Sequence, residues 1–235
     1  MPVIQSPRYF GKDLEAMSFA RNYHKWILEE FRPYLGSSTA EVGAGTGGFS
    51  SLLLEAPIKS LKAFEPSPNM YPQLLRALNH DPRAEAINGF FCCSGAGERY
   101  DSILYVNVLE HIEDDVSELA RAREALEPAG HLLIFVPALS WLYSEFDRQV
   151  GHFRRYTKNG LIELAQGAGL RVVKARYFDM AGIVPWFINF VLLKHSMRGG
   201  SVSLYDNLVV PLMRRAEGMV TPPIGKNVLL VAQRA

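Results

Sequence analysis

The sequence predicts an α/β protein: a doubly wound, mostly parallel sheet with helices on both faces. Three observations predict it. Short apolar runs alternate with helical segments across residues 38–137. A glycine-rich stretch, "EVGAGTGG" from Glu41 to Gly48, joins the first strand to a helix, as a ligand-binding βα turn does. The run "HLLIFVPA" at 131–138 is almost wholly apolar, as a strand covered on both faces must be.

The elements follow in order. Residues 13–34 predict a helix, because Leu14, Phe19, Tyr23, Trp26, Ile27, Phe31 and Tyr34 recur at three- and four-residue spacing. "TAEVG" is strand one and "GFSSLLLEA" the helix after the glycines. "SLKAFEP" is strand two, stopped by Pro66, and Ser67 is placed to cap the helix "SPNMYPQLLRALNH". "AEAINGFF" is strand three and "YDSILYVNVLE" strand four. "EDDVSELARAREALEPAG" is a helix with acids in its first turn, as the helix dipole favours, stopped by Pro128 and Gly130. After strand five, 138–156 is an irregular polar and aromatic segment. "LIELAQGAG" is a helix, "LRVVKARYF" a strand, 181–195 a helix and "NVLLVAQRA" the last strand. Within 196–226 a short helix is expected in "LYDNLVVPLMRRAEGM", with loops around it.

The chain of 235 residues is 48% hydrophobic and 21% charged, enough for a sizeable core and unlike a disordered chain. Adjacent Cys92 and Cys93 make neither a disulfide nor a metal site and point to a reducing, cytoplasmic location. The N-terminal stretch has no apolar core, so no signal peptide is expected. The longest apolar run, 181–193, contains Pro185 and Asn189 and is shorter than the ~20 residues that span a bilayer. A buried helix is expected there, with peripheral contact to a membrane or greasy substrate as the alternative. Charge is uneven: residues 1–147 carry 12 basic and 20 acidic side chains, residues 148–235 carry 13 and 4. The basic C-terminal third suits an anionic substrate or surface, or is simply solvated charge.

The glycines fit two patterns. Gly43, Gly45 and Gly48 satisfy G-x-G-x-x-G, whereas Gly43, Gly45 and Gly47 satisfy G-x-G-x-G. Glu41 separates the two readings. A carboxylate at the end of strand one would repel a pyrophosphate at the helix N-terminus. It favours a ligand with an ammonium group, such as S-adenosylmethionine. Glu65 ends strand two, 20 residues beyond Gly45, where an acid can accept hydrogen bonds from ribose hydroxyls of either cofactor type.

Taken together, "EVGAGTG", Glu65, "DSILYVNVLEHIEDD" and "LEPAGHLLIFVPA" resemble the successive motifs of class I S-adenosylmethionine-dependent methyltransferases over about residues 39–137. "VLEHIEDD" is similar to the "LEH" signature of the branch acting on small molecules and quinone precursors, and "FDRQVGHFRRYT" to a block after strand five in bacterial members. The resemblance implies a Rossmann-like, seven-stranded sheet whose last strand is antiparallel, in one domain over 1–235. Residues 1–37 would form a helical cover, 38–137 the cofactor-binding core, and 138–156 with 180–226 the substrate-side lid. It implies S-adenosylmethionine as cofactor, held by Glu41, Gly43, Ala44, Gly45, Gly47, Glu65, Pro66, Asn107 and Val108. The family's usual Asp after strand three is missing from "INGFFCCSG", so adenine is expected to meet Phe90 or Phe91 and backbone groups.

Methyl transfer from a sulfonium is an in-line displacement needing position and shielding rather than a metal. No metal-ligand spacing is visible in the sequence. A histidine can assist deprotonation of an oxygen or carbon nucleophile. His111 lies just past strand four at the ligand edge of the sheet, and His152 in "GHFRRY" after strand five. These are the catalytic candidates. Tyr23, Trp141, His152, Arg155 and Tyr156 are the substrate candidates, with Arg155 facing an anionic group or else pinning the loop onto Glu145 and Asp147. Tyr23 and Trp26 either cover the cofactor or pack in the core. The expected partner is a small molecule, anionic or lipophilic. Nucleic acid is not expected, since "NVLE" stands where base amino-methylators carry N/D-P-P-Y/F. The alternatives are a nicotinamide-dependent oxidoreductase and a non-catalytic S-adenosylmethionine-binding protein.

Overall fold

The structure, a computed structural model, describes residues 20–91, 97–194 and 199–235. Cys92, Cys93, His195, and Leu14 and Phe19 of the expected first helix lie outside the described residues. The elements are α1 (Arg21–Phe31), β1 (Ser38–Val42), α2 (Gly48–Leu53), β2 (Ser60–Phe64), α3 (Tyr71–Leu78), β3 (Ala84–Ile87), β4 (Tyr100–Val106), α4 (Asp115–Ala125), β5 (Leu126–Pro137), α5 (Glu145–Gln149), α6 (Lys158–Gly167), β6 (Leu170–Phe178), α7 (Ile183–Trp186), α8 (Gly199–Leu208), α9 (Val210–Met219) and β7 (Asn227–Arg234).

All seven strands form one sheet in the order β3-β2-β1-β4-β5-β7-β6. The first five pair in parallel, while β7 runs antiparallel to both β5 and β6. The apolar run in β5 is explained by its two faces. Leu132, Ile134 and Val136 join the core that holds Leu119, Ala122, Leu161 and Ala165 of α4 and α6. Leu133 and Phe135 join the opposite core with Trp26, Ile27 and Phe31 of α1 and Leu52 and Leu53 of α2. Strand alternation thus divides one apolar run between two helical layers. Each fully buried Leu or Phe contributes roughly 1.5–3 kcal/mol of apolar transfer energy.

Four local expectations need correction. "LEPAG" does not end the α4 helix but begins β5: Leu126 pairs with Tyr100, and a register shift follows. Ala129 at φ 62° turns the chain there, and a Cβ on Gly130 would meet the carbonyls of Glu127, Asp101 and Tyr100 at 2.9–3.1 Å. Ser67 does not cap α3, which starts four residues later; its carbonyl instead takes the amides of Met70 and Tyr71. The 181–195 helix is short and widens into a π-helix over Phe187–Leu192. Pro185 has no N–H to give to the helical ladder, and its carbonyl accepts from the Asn189 side chain at 2.8 Å. The single short helix expected in 196–226 is a pair, α8 and α9, broken at Val209, with Pro211 in the first turn of α9.

The N-terminus of α1 is closed from a distance. The Asp206 carboxylate on α8 accepts the amides of Asn22 at 2.9 Å and Tyr23 at 2.8 Å, supplying acceptors for two donors that have no partner within the helix. Among the described residues no helix is long and apolar enough to cross a membrane.

Candidate active site

The glycine loop leaves β1 at the C-terminal edge of the parallel strands. Gly43, Gly45 and Gly47 all have positive φ, at 68°, 58° and 86°, the left-handed region that favours glycine. Gly48 does not, and a Cβ added to it would meet nothing within 4 Å. A Cβ on Gly43 would lie 2.6 Å from a Val108 methyl, and one on Gly47 would lie 2.9 Å from Ala77 Cβ. The backbone therefore uses the G-x-G-x-G pattern. Ala44 is anchored by its amide to the Phe64 carbonyl at 3.0 Å.

Two carboxylates flank this loop. Glu41 is buried, and the Ser50 hydroxyl on α2 donates a short hydrogen bond to it. Burial pushes its pKa up to about 8, against the Ser50 bond and with help from Glu65. Glu65 accepts the amides of Gly45 at 2.7 Å and Ser67 at 2.8 Å, one on each oxygen, and burial raises its pKa. Each oxygen retains a lone pair for a further donor. A buried acid at the end of β1, glycines without side chains and a strand-end acid with acceptor capacity to spare fit S-adenosylmethionine. Pro66 is half-buried beside Glu65. Asn107, at φ 54°, follows β4 and leads to Val108 against Gly43. Phe91 packs in the core on Phe64 with ring centroids 5.3 Å apart, so of the two phenylalanines only Phe90 is exposed.

Opposite stands the turn Leu109–His111, clamped by the block at 138–156. The Phe153 amide donates to the Glu110 carbonyl at 2.8 Å, and the buried Tyr156 hydroxyl donates to Leu109 O at 3.2 Å and Asp115 at 2.8 Å. The fold brings the two catalytic candidates together: the rings of His111 and His152 lie 4.6 Å apart, edge to face. Burial and the neighbouring His152 lower the His111 pKa to about 3. His152 Nδ1 is 2.8 Å from Asp147 Oδ1. Asp147 is fully buried, and its other oxygen accepts from the amide and hydroxyl of Ser144, both at 2.8 Å. Burial works to raise the Asp147 pKa, but His152 and Arg155 outweigh it and hold the group below its ordinary value. Glu110 is also fully buried; burial raises its pKa to about 7, with His152 opposing.

The substrate candidates divide. Arg155 does not face solvent: its side chain is 1% exposed, pairs with Asp147 through Nε and Nη2, donates to Ala138 O and stacks 4.6 Å over Trp186. This is the loop-pinning arrangement. Tyr156 anchors the turn, as above. Tyr23 sits in the core among Trp26, Phe135 and Phe178, its hydroxyl 2.9 Å from Asn227 Oδ1. Trp141 is half-exposed and meets Phe187 edge-on at 6.0 Å. Phe146 likewise meets Trp186 and Phe190, so the two expected lid segments share an aromatic wall. Sequence reasoning missed Glu110 as a site residue and Asp147 as the organiser. The pattern Ser144-x-x-Asp147, a capping box at the start of α5, was the available signal for the latter.

The chain matches the model of a methyltransferase domain family over residues 18–175. Its fold is similar to a Haloferax volcanii methyltransferase in complex with the Trm112 methyltransferase activator, at 15% identity and TM-score 0.65, covering 96% of this chain and 94% of that one. It is also similar to an S-adenosylmethionine-dependent methyltransferase from Thermotoga maritima, at 18% identity and TM-score 0.63, with 96% of each chain covered. A third is the N-methyltransferase NodS of Bradyrhizobium japonicum bound to S-adenosylhomocysteine, at 16% identity and TM-score 0.59, covering 92% and 87%. No curated protein matches the chain.

Proposed function

The chain belongs to the methyltransferase domain family, and from that premise we propose that it methylates a small lipophilic or anionic molecule using S-adenosylmethionine. The observation that carries the reading is the loop of three left-handed glycines between two buried strand-end carboxylates, Glu41 and Glu65. When bound, S-adenosylmethionine supplies a methyl group already activated on a sulfonium. The protein's share is to hold, orient and exclude water. Glu41 meets the ammonium of the methionine half, and Gly43, Ala44, Gly45 and Gly47 let the backbone approach it. Glu65 and Pro66 meet the ribose, and Asn107 and Val108 close the crevice from β4.

His111 and His152 are the polar groups that meet the reacting end of the substrate, with His152 oriented by Asp147. Trp141 contributes to the aromatic wall, while Tyr23, Arg155 and Tyr156 fix the surrounding segments from behind. Exposed apolar side chains on α7 to α9, among them Val184, Leu204, Leu208 and Leu212 at 60–65% exposure, support a lipophilic substrate or an anionic lipid surface, as does the basic composition of that third of the chain. Calorimetry with S-adenosylhomocysteine and with NAD tests the cofactor assignment. Saturable binding of the first and none of the second is expected; the reverse overturns the reading.

A further inference from the structure

Glu110, His111 and His152 each place one ligand atom within 4.8 Å of the other two. They come from two segments, the turn after β4 and the loop after α5, so only the folded chain assembles them. Glu110 is fully buried, and no other described residue donates a hydrogen bond to either of its oxygens. A carboxylate in that condition is costly unless a cation or proton accompanies it. His152 Nε2 lies 3.9 Å from Glu110 Oε1, beyond hydrogen-bond reach but close enough for one ion to touch both. The His152 ring is fixed at its other nitrogen by Asp147 at 2.8 Å, the carboxylate–histidine arrangement that orients metal-bound imidazoles. The His111 ring is held by a hydrogen bond to the backbone of Gly151.

We propose that Glu110, His111 and His152 form a binding site for a divalent cation of the zinc type, leaving open coordination positions for water or an oxygen donor. Two imidazoles and one carboxylate suit Zn²⁺, Fe²⁺ or Co²⁺, and three protein ligands with an open position are the pattern of a reactive rather than a structural site. The observed spacing is somewhat wider than the ~2.0–2.2 Å bonds of such sites would give, so a bound ion draws the three side chains inward. The turn carrying Glu110 and His111 follows Val108, which lies against Gly43, so the cation adjoins the glycine loop. An oxygen-bearing group of the substrate is the natural occupant of the open position, and this last clause alone rests on the methyltransferase reading. Ligation takes the same Nε2 lone pair that His152 would use as a proton acceptor, so a bound cation replaces that role.

Calorimetry of the chelator-stripped full chain with Zn²⁺ and with Co²⁺ tests the site, together with the visible spectrum of the Co²⁺ form and anomalous diffraction from Zn²⁺-soaked crystals. One ion per chain is expected, with anomalous density between the three side chains. Affinity should fall at least tenfold in Glu110→Gln and His152→Gln and by roughly 10–100-fold in Asp147→Asn. No saturable binding by the wild-type chain, density elsewhere, or affinities unchanged in Glu110→Gln and His152→Gln overturns the site. The diffraction arm uses the wild-type protein and does not depend on the variants folding. S-adenosylhomocysteine titrations of the same samples keep the questions apart: a chain that binds this ligand but no metal loses only the cation site.

Discussion

Asp147 and Arg155 form a two-pronged ion pair, 2.9 and 3.1 Å long, inside the loop that covers the Leu109–His111 turn. The same Asp147 oxygen that takes Arg155 Nε also fixes His152 at 2.8 Å. One carboxylate thus sets both the loop's anchorage and the orientation of the His152 ring.

Arg155→Ala leaves the buried Asp147 without its cation. Breaking a buried pair from one side typically costs about 3–5 kcal/mol. A clear drop in urea midpoint and melting temperature is expected, with S-adenosylhomocysteine affinity in the folded fraction near wild type. Unchanged melting with a fall in kcat/KM would instead mean that Arg155 holds the substrate.

Gly43→Ala and Gly48→Ala separate the two glycine patterns. At Gly43 a Cβ would lie 2.6 Å from Val108 in a backbone of φ 68°, so the loop must distort and cofactor affinity should fall by at least tenfold. At Gly48, in the first turn of α2, a Cβ meets open space. That substitution is expected to be neutral or to stabilise by about 0.4–1 kcal/mol. Equal loss of S-adenosylhomocysteine binding in both variants, measured by calorimetry, contradicts the assignment.

What the sequence made legible follows from the range of each interaction. The five parallel strands and the glycine turn are local patterns: strand periodicity, glycine spacing and an acid two residues before Gly43 all lie within a short window. The site on the other side of the crevice is not local. Glu110 and His152 are separated by 42 positions, and neither shows metal spacing until β5 and the 138–156 block fold back on the turn after β4. Arg155 illustrates the same limit, because an arginine beside aromatic residues reads alike whether it faces a ligand or a buried aspartate. The Asp206 carboxylate that closes α1 lies 184 positions from Asn22, and no window contains both. Conversely, "LEPAG" misled because its proline and glycine are read as helix stops, whereas β-strand pairing of Leu126 with Tyr100 absorbs them.

Glu41 should imprint a pH dependence on stability. Its folded pKa is raised from 4.5 to about 8 by burial, so folding favours its protonated form. The contribution is fully present below the unfolded value near 4.5 and is lost as pH rises toward 8, with a slope of up to roughly 1.4 kcal/mol per pH unit. Glu41→Gln mimics the protonated form and removes that loss. In urea unfolding between pH 5 and 8, the variant should gain steadily on the wild type as pH rises. Parallel profiles would show that Glu41 is not buried as an acid.

The exposed apolar side chains of α8 and α9 predict lipid contact. Leu204, Leu208 and Leu212 recur at four-residue spacing and are 60–65% exposed, where solvent contact gains nothing from leucine. They lie in the stretch 148–235, which carries 13 basic and only 4 acidic residues. Apolar side chains that can enter the headgroup region, in a stretch of net positive charge, suit an anionic interface. Flotation with vesicles containing phosphatidylserine should recover the protein at low salt. Recovery should fall as salt screens the charge, whose range is about 10 Å at 0.1 M, and on neutral vesicles. Leu208→Gln with Leu212→Gln should reduce flotation while leaving the melting temperature within about 2 °C, because neither side chain is in the core. No flotation at low salt, or flotation indifferent to both leucines, removes the lipid surface as a partner and leaves a soluble lipophilic or anionic substrate as the occupant of the crevice.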